Sequence, residues 1–442
     1  MRYTTFTTYL LTTLTAHGCA LLDDDPEGDD ADTSAESGAP TTADETGDPP
    51  PVTTQGESTT TPGDDASSDA SDSDTGGDDT GDDTDAPPPA GDCSTASLLI
   101  GNPYFEGELG GSNPAGHGLH ADPPLRSRHL AEVGGRLAVD TQSEIWIADD
   151  TELVRVAGNE VSEADRYRPT GTCDEARFLL GEGIAGLPDG RLVVADARGN
   201  ALVELSDPLG DDCIATPVAG NPDTTLAVDI EDWGAPGDVD GPGADARFRG
   251  ISRPVADDDG AVYVIDRGNL KIKRIDDDAA RTVTTLHAFT DGGNPLAMTA
   301  LGGVLYVVGT SGVDDAVWAI DSERGGIETL FLGSGLFDEI DPGDPALMIA
   351  LDNDGVDLLV ASHEGYILRM TTAAFPLGAI AGYGPVIDYP SDLELGAPIA
   401  VGELPIDSYS INDGSLLRLG DDILFANVAG GTGYHVWAIH CE

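Results

Sequence analysis

Beyond residue 93 the chain alternates short apolar runs with polar, glycine-rich stretches. The runs are "IWIAD" from Ile145, "LVVAD" from Leu192, "VYVID" from Val262, "LYVVG" from Leu305, "LLVAS" from Leu358 and "ILFAN" from Ile423. All are rich in β-branched or aromatic residues and too short for helices, so each predicts a β-strand. Several follow a tight-turn signal: "LPDG" ending at Gly190, "DDDG" at Gly260, "LGG" at Gly303 and "DNDG" at Gly355. Glycine takes positive φ without a steric penalty, which hairpin turns of this kind require. A further strand follows most runs, as in "NALVEL", "LKIKRI", "AVWAI", "GYILRM" and "YHVWAI". An outer strand then appears in several copies: "IATPVAG", "TVTTLHA", "IETLFLG" and "LGAIAG".

The pattern predicts a unit of four antiparallel strands, with the quoted run as the second, repeating every 43 to 70 residues. Both faces of that second strand are apolar, so its sheet must be covered on both sides. Radially packed blades meet that demand, whereas an open sandwich leaves one face wet. No segment carries a sustained amphipathic helical period. The expected fold is all-β, a six-bladed β-propeller spanning residues 93–442. The unit around Trp146 shows no outer strand of its own. The last copy, "YHVWAIHCE", stops after its third strand, while "CSTASLLIGNP" from Cys93 matches the outer strand and exit "CIATPVAGNP" from Cys213. The N-terminal strand is therefore expected to complete the last blade and remove a free sheet edge.

Two copies carry more than rhythm. "GDVDGPGADARFRGISRPVADDDGAVYVIDRGNLKIKRI" and "EARFLLGEGIAGLPDGRLVVADARGNALVEL" share Ala-Arg-Phe, an Asp-Gly turn, a strand ending in Asp, and Gly-Asn. They resemble NHL repeats. The resemblance implies that Phe248 packs at a blade entrance and that Asp266 and Asn269 tie the turn after the second strand. On this reading "GDVDGPGADARF" is connecting loop rather than a calcium or phosphate site.

Charge divides the chain further. It carries 81 acidic and 21 basic side chains, a formal net charge of −60. Residues 20–92 hold 23 of the acids and no base, in a background of Thr, Ser, Gly, Pro and Ala. Such a segment has too little apolar surface to offset its ordering entropy, and it is expected to be a disordered acidic tether. The remaining 58 acids and 20 bases still make nucleic acid and anionic membrane surfaces poor partners. Residues 1–19, "MRYTTFTTYLLTTLTAHGC", have the layout of an export signal, too short for a lasting span. They resemble a bacterial lipoprotein signal with Cys19 as the lipidated residue. An ordinary signal peptide with an incidental Cys is the alternative. Ala20, rather than Asp, follows Cys19, which favours the outer membrane or cell surface. The membrane is then reached through a lipid anchor only.

With Cys19 set aside, four cysteines remain, without a Cys-x-x-Cys pair, and suit two disulfides in an oxidising compartment. Cys441 follows the last blade's third strand and Cys93 precedes the strand expected beside it, which pairs them. Cys213 precedes the second blade's outer strand and Cys173 lies in that blade's entry, which pairs those two.

Candidate chemistry is sparse. "DNDGVD", Asp352 to Asp357, imitates the start of an EF-hand loop but lacks the distal Glu and falls where an Asp-Gly turn is expected. His117, His120 and His129 cluster in "GHGLHADPPLRSRH" and offer imidazoles, although a Gly- and Pro-containing loop does not fix ligand geometry. An exposed insertion on the first blade is the favoured reading. No metal site, cofactor or catalytic set is assigned. Trp233, Tyr383, Tyr389 and Tyr409 lie among carboxylates in long inter-blade connections and are the ligand-binding candidates. Such an acidic, aromatic rim suits a protein, glycan or cation partner. The favoured function is a monomeric, non-enzymatic binding propeller. The alternative is a metal-dependent propeller enzyme resembling gluconolactonases or peptide-amidating lyases.

Overall fold

The structure, a computed structural model, describes residues 93–100, 128–141, 143–149, 152–158, 167–222, 236–290, 292–312, 314–333, 348–362, 366–372, 378–382, 398–404, 414–429 and 433–441. All belong to a compact unit, Gly81–Glu442. They form six antiparallel sheets built on four strands each, in chain order except where the first strand joins the last blade; a short entry strand makes two of the sheets five-stranded. Blade 1 comprises His129–Val133, Arg136–Asp140, Glu144–Ala148 and Leu153–Gly158; blade 2 comprises Gly181–Gly186, Leu192–Asp196, Ala201–Ser206 and Ile214–Gly220. Blade 3 runs through Ile251–Ala256, Val262–Asp266, Lys271–Ile275 and Val283–Ala288, and blade 4 through Gly293–Leu301, Val304–Ser311, Asp314–Asp321 and Ile327–Gly333. Blade 5 holds Met348–Asn353, Leu358–Ser362, Ile367–Met370 and Gly378–Ala381. In blade 6, Ser415–Leu419, Asp422–Ala429 and Gly433–Cys441 are completed by Cys93–Ile100.

The expected six-bladed propeller and its closing strand are therefore present. Thr95 pairs with His440, Ser97 with Ala438, and Cys93 lies opposite Cys441, to which it is disulfide-bonded. One strand assignment is corrected. "IWIAD" is the third strand of blade 1, not the second; the second is "RLAVD", Arg136–Asp140, reached through a Gly134-Gly135 turn. Both glycines have positive φ, +57° and +78°, so the pair makes the hairpin that Asp-Gly makes elsewhere. Once the register is moved, Leu153–Gly158 supplies the outer strand that blade 1 seemed to lack.

The core consists of six inter-blade layers. Val193, Ala195 and Leu202 of blade 2 meet Phe248, Ile251 and Val264 of blade 3. Tyr263 and Ile265 then meet Met298, Val307 and Trp318 of blade 4. The remaining layers continue around the ring to blades 6 and 1, where Leu424 and Val436 pack on Leu137 and Trp146. Second strands such as Leu192–Asp196 and Val262–Asp266 are buried at every position, as radial packing demands. Phe248 is fully buried, and such a side chain contributes about 2 to 3 kcal/mol by burial.

Entry segments protect several outer edges. Gly171–Thr172 pairs with Ile214 and Ala215 in blade 2, beside the Cys173–Cys213 disulfide; Ile399–Ala400 pairs with the closing strand in blade 6. In blade 3 the "GDVDGPGADARF" stretch serves this purpose: Val239 bridges Arg247 and Gly241 bridges Val283. Asp238 contacts Lys271 and Lys273, while Asp240 accepts from the Thr285 backbone at 2.7 Å. The stretch is an edge clamp, and the carboxylates of Asp238 and Asp240 are taken by cations and an amide of its own blade.

Candidate functional site

The six first strands line a central channel and all start on one face. Antiparallel order returns every second strand to that face, so the turns after the second strands share it. A cavity of about 250 Å³ runs between the first strands, lined by His129, Gly183, Arg253, Pro254, Asp352 and Ser415 among others.

Charged side chains gather where the first strands begin. Arg128 precedes the first strand of blade 1, and Glu182 and Arg253 sit within those of blades 2 and 3; Arg267 opens the turn after Asp266. Arg128, His129, Glu182 and Arg253 are each more than nine-tenths buried. Arg128 Nη1 stands 3.6 Å from Glu182 Oε1, and Arg253 Nη1 donates to the Gly414 carbonyl at 2.5 Å, reaching blade 6. Strand irregularities place these groups. A bulge between Ser252 and Val255 holds Arg253 at φ +50°, just before Pro254, and another lies between Gly181 and Ile184. Gly181 and Gly183 allow the approach. A Cβ on Gly181 would meet the Asp140 carboxylate at 2.6 Å, and one on Gly183 would meet Pro254 Cδ at 2.6 Å.

His129 Nδ1 lies 3.2 Å from Oδ2 of Asp140, which is fully buried. A carboxylate only accepts, so Nδ1 carries the proton and Nε2 presents a lone pair. Burial first, and then the Arg253 charge, hold the His129 pKa well below its ordinary value, so the ring is neutral at pH 7. Burial, reinforced by Arg267, brings the Arg253 guanidinium down to about 9, which leaves it cationic at neutral pH. His129 Nε2, Glu182 Oε2, and Arg267 Nε and Nη2 are buried without a hydrogen-bond partner. Unpaired buried polar atoms are costly, and their concentration at one channel mouth marks a place built for polar contacts.

At the opposite end, Asp352 Oδ2 accepts from the Arg418 backbone at 2.7 Å and Oδ1 from Thr299 Oγ1 at 3.3 Å. Burial pushes its carboxyl up to about 6. The rest of "DNDGVD" is a turn. Asp354 Oδ1 accepts from the Val356 and Asp357 backbones, and Oδ2 is 3.4 Å from Arg369.

His129 does not belong to an exposed insertion, as the His-rich stretch suggested. It opens an innermost strand, where the ring packs against Asp140 and its strand's own burial removes it from solvent. His117, His120, Trp233, Tyr383, Tyr389, Tyr409 and Cys19 lie outside the described residues. His435 is buried in blade 6, and His440 pairs with Asp422 and Ser97, each at 2.9 Å. Among the described residues no group of three His, Cys, Asp or Glu is placed to hold a metal ion. Arg128, Glu182, Arg253 and Arg267 escaped the sequence reading because they are scattered over 140 positions, from 128 to 267. A signal for Arg253 existed: a charge followed by Pro inside the apolar strand "ISRPVA" marks a bulge.

No protein-family profile matches the chain, and no curated protein sequence matches it. Solved structures are similar at low identity. A protein of unknown function from Bacteroides thetaiotaomicron is 13% identical with a TM-score of 0.49, covering 78% of this chain and 76% of its own. An auxiliary nutrient binding protein from the same organism is 10% identical with a TM-score of 0.49, covering 79% and 77%. Virginiamycin B lyase from Staphylococcus aureus is 12% identical with a TM-score of 0.42, covering 72% and 96%. At these values the likeness adds nothing to the fold already read from the strand pairing.

Proposed function

We propose that the protein is an exported lipoprotein, anchored through Cys19 with residues 20–92 as its tether, whose NHL-like propeller is a non-enzymatic binding module. Its ligand or partner enters at the face where the first strands begin. One observation carries this reading: Arg128, Glu182, Arg253, Arg267 and His129, from three blades, converge at the channel mouth, where His129 Nε2, Glu182 Oε2, and Arg267 Nε and Nη2 are buried without a hydrogen-bond partner. Two disulfides support an extracytoplasmic location. The connections bearing Trp233, Tyr383, Tyr389 and Tyr409 join strand ends on that same face, so their side chains are candidate contacts for a protein or glycan. Three guanidiniums at the mouth speak against a cation there.

A second reading has its own support. The His129–Asp140 pair, with Nδ1 engaged and Nε2 presenting a lone pair, has the arrangement of an oriented general base. It favours acid–base chemistry at the mouth. The two readings separate in one experiment on the full-length protein. Glycan and peptide libraries are screened for binding by wild type and Arg128→Gln, and bound compounds are recovered and weighed by mass spectrometry. A ligand recovered unchanged, and bound more weakly by the variant, supports the binding module. Conversion of the ligand, or binding indifferent to the substitution, overturns it.

A further inference from the structure

The composition of the channel mouth narrows the chemistry of what it binds; this step rests on the binding reading above. Arg128 pairs with Glu182, Asp140 holds the neutral His129 ring, and the charges of Arg253 and Arg267 act on the same ring, so these groups together sum to about one positive charge at pH 7. In a chain of net charge −60, a cationic pocket is no accident of composition. A metal cation is disfavoured by the guanidiniums, and a dianion by the two carboxylates. One negative charge matches.

The unpartnered atoms say what else the ligand carries. Arg267 Nε and Nη2 are donors, one edge of a planar fork suited to a carboxylate. His129 Nε2 and Glu182 Oε2 are acceptors and call for hydroxyl or amine donors on the ligand. His129 and Arg253 line this end of the cavity between the first strands, which over its whole length holds about 250 Å³, less than the sites that enclose drug-sized molecules, typically about 300 to 1,000 Å³. We propose that the channel mouth is a subsite for a hydroxylated monocarboxylate of monosaccharide size, its carboxylate held by Arg253 and Arg267 and a hydroxyl donating to His129 Nε2.

The test is titration calorimetry of the full-length protein with four probes: glucuronate, glucose, butyrate and inorganic phosphate. Glucuronate joins a carboxylate to hydroxyls; glucose lacks the carboxylate and butyrate the hydroxyls. Saturable binding of glucuronate, with glucose and butyrate at least tenfold weaker, is expected. Arg267→Gln, at a half-buried turn position, should weaken glucuronate at least tenfold, the equivalent of about 1.4 kcal/mol. Arg253→Gln should do the same, but loses the bond to Gly414, so unchanged circular dichroism qualifies its result and Arg267→Gln decides. No glucuronate binding overturns the proposal. So does equal binding of glucose or butyrate, binding of phosphate alone, or an Arg267→Gln variant that binds as wild type. A library ligand that is neutral or cationic would leave the binding module standing while this subsite assignment falls.

Discussion

Removing the Cys93–Cys441 disulfide measures what covalent closure of the ring contributes. The bond spans 348 residues and the Cys173–Cys213 bond spans 40. In the chain-entropy treatment, loops of those lengths destabilise the unfolded chain by about 6 and about 4 kcal/mol respectively. Observed contributions run lower, so about 3 to 5 kcal/mol is expected for Cys93→Ala with Cys441→Ala. Unfolding entropy near 2.1 cal/mol/K per residue over roughly 350 residues makes each kcal/mol worth about 1.4 °C. The paired substitution should therefore lower the unfolding midpoint by about 4 to 7 °C. The Cys173→Ala, Cys213→Ala pair should lower it by about 3 °C less. Differential scanning calorimetry at one scan rate reads both. If the local pair costs as much as the ring-closing pair, loop length is not what sets the contribution. A loss under about 1 °C for the ring-closing pair would mean that the pairing of Cys93–Ile100 with Gly433–Cys441 holds the ring unaided.

Other expectations follow from named groups. Lys273 Nζ is buried within 3.5 Å of Asp238, Asp240 and Asp266, so Lys273→Met should cost about 3 to 5 kcal/mol in urea denaturation, by leaving Asp266 buried without its cation. Lys271→Met, at the exposed side of the same clamp, should cost under about 1 kcal/mol, and equal losses would contradict the clamp. Asp352 titrates at about 6 in the fold against 3.8 in the open chain, so the folded state holds the extra proton between those values. Its charge therefore destabilises above pH 6, and that cost disappears as pH falls toward 4. Asp352→Asn should then stabilise by about 1 to 2 kcal/mol at pH 7.5, within the ~3 kcal/mol ceiling of a two-unit shift, and by nothing at pH 4; an equal gain at both pH values would refute the assignment. Cys19→Ser should move the protein from the membrane fraction to the soluble fraction, and unchanged fractionation would remove Cys19 as the anchor.

The propeller was legible because burial on both faces of a strand leaves a mark in one short run of residues. "LVVAD" and "VYVID" are apolar at every position before the Asp because each blade packs between two others. Asp196 and Asp266 stood out for a local reason as well: each accepts backbone amides from its own blade's entry, at Leu179 and Arg249. Blade 1 was misread by one strand because "IWIAD" has the same look, while the Gly134-Gly135 turn, which settles the register, lies ten residues earlier. The channel mouth left almost no mark. Its members are single charges at strand starts and in one turn, brought together only when blades 1, 2 and 3 pack side by side, and their spacing along the chain reflects blade length rather than chemistry.

The ring's last seam joins the propeller's first strand to its final one, and this orders the events of folding. Cys93–Ile100 is synthesised before any other strand of the propeller, yet its partner Gly433–Cys441 is synthesised last. Until Ile399–Ala400 is made it can form no native pair, and its long pairing with Gly433–Cys441 waits for the last strand; long-range closures of this kind are slow and leave sheet edges open meanwhile. A chain cut short before residue 433 would leave one edge of Cys93–Ile100 and one edge of Asp422–Ala429 without the strand that joins them. The fold thus ties the propeller's two ends together: only a chain that has reached Gly433–Cys441 can cover both of those edges at once.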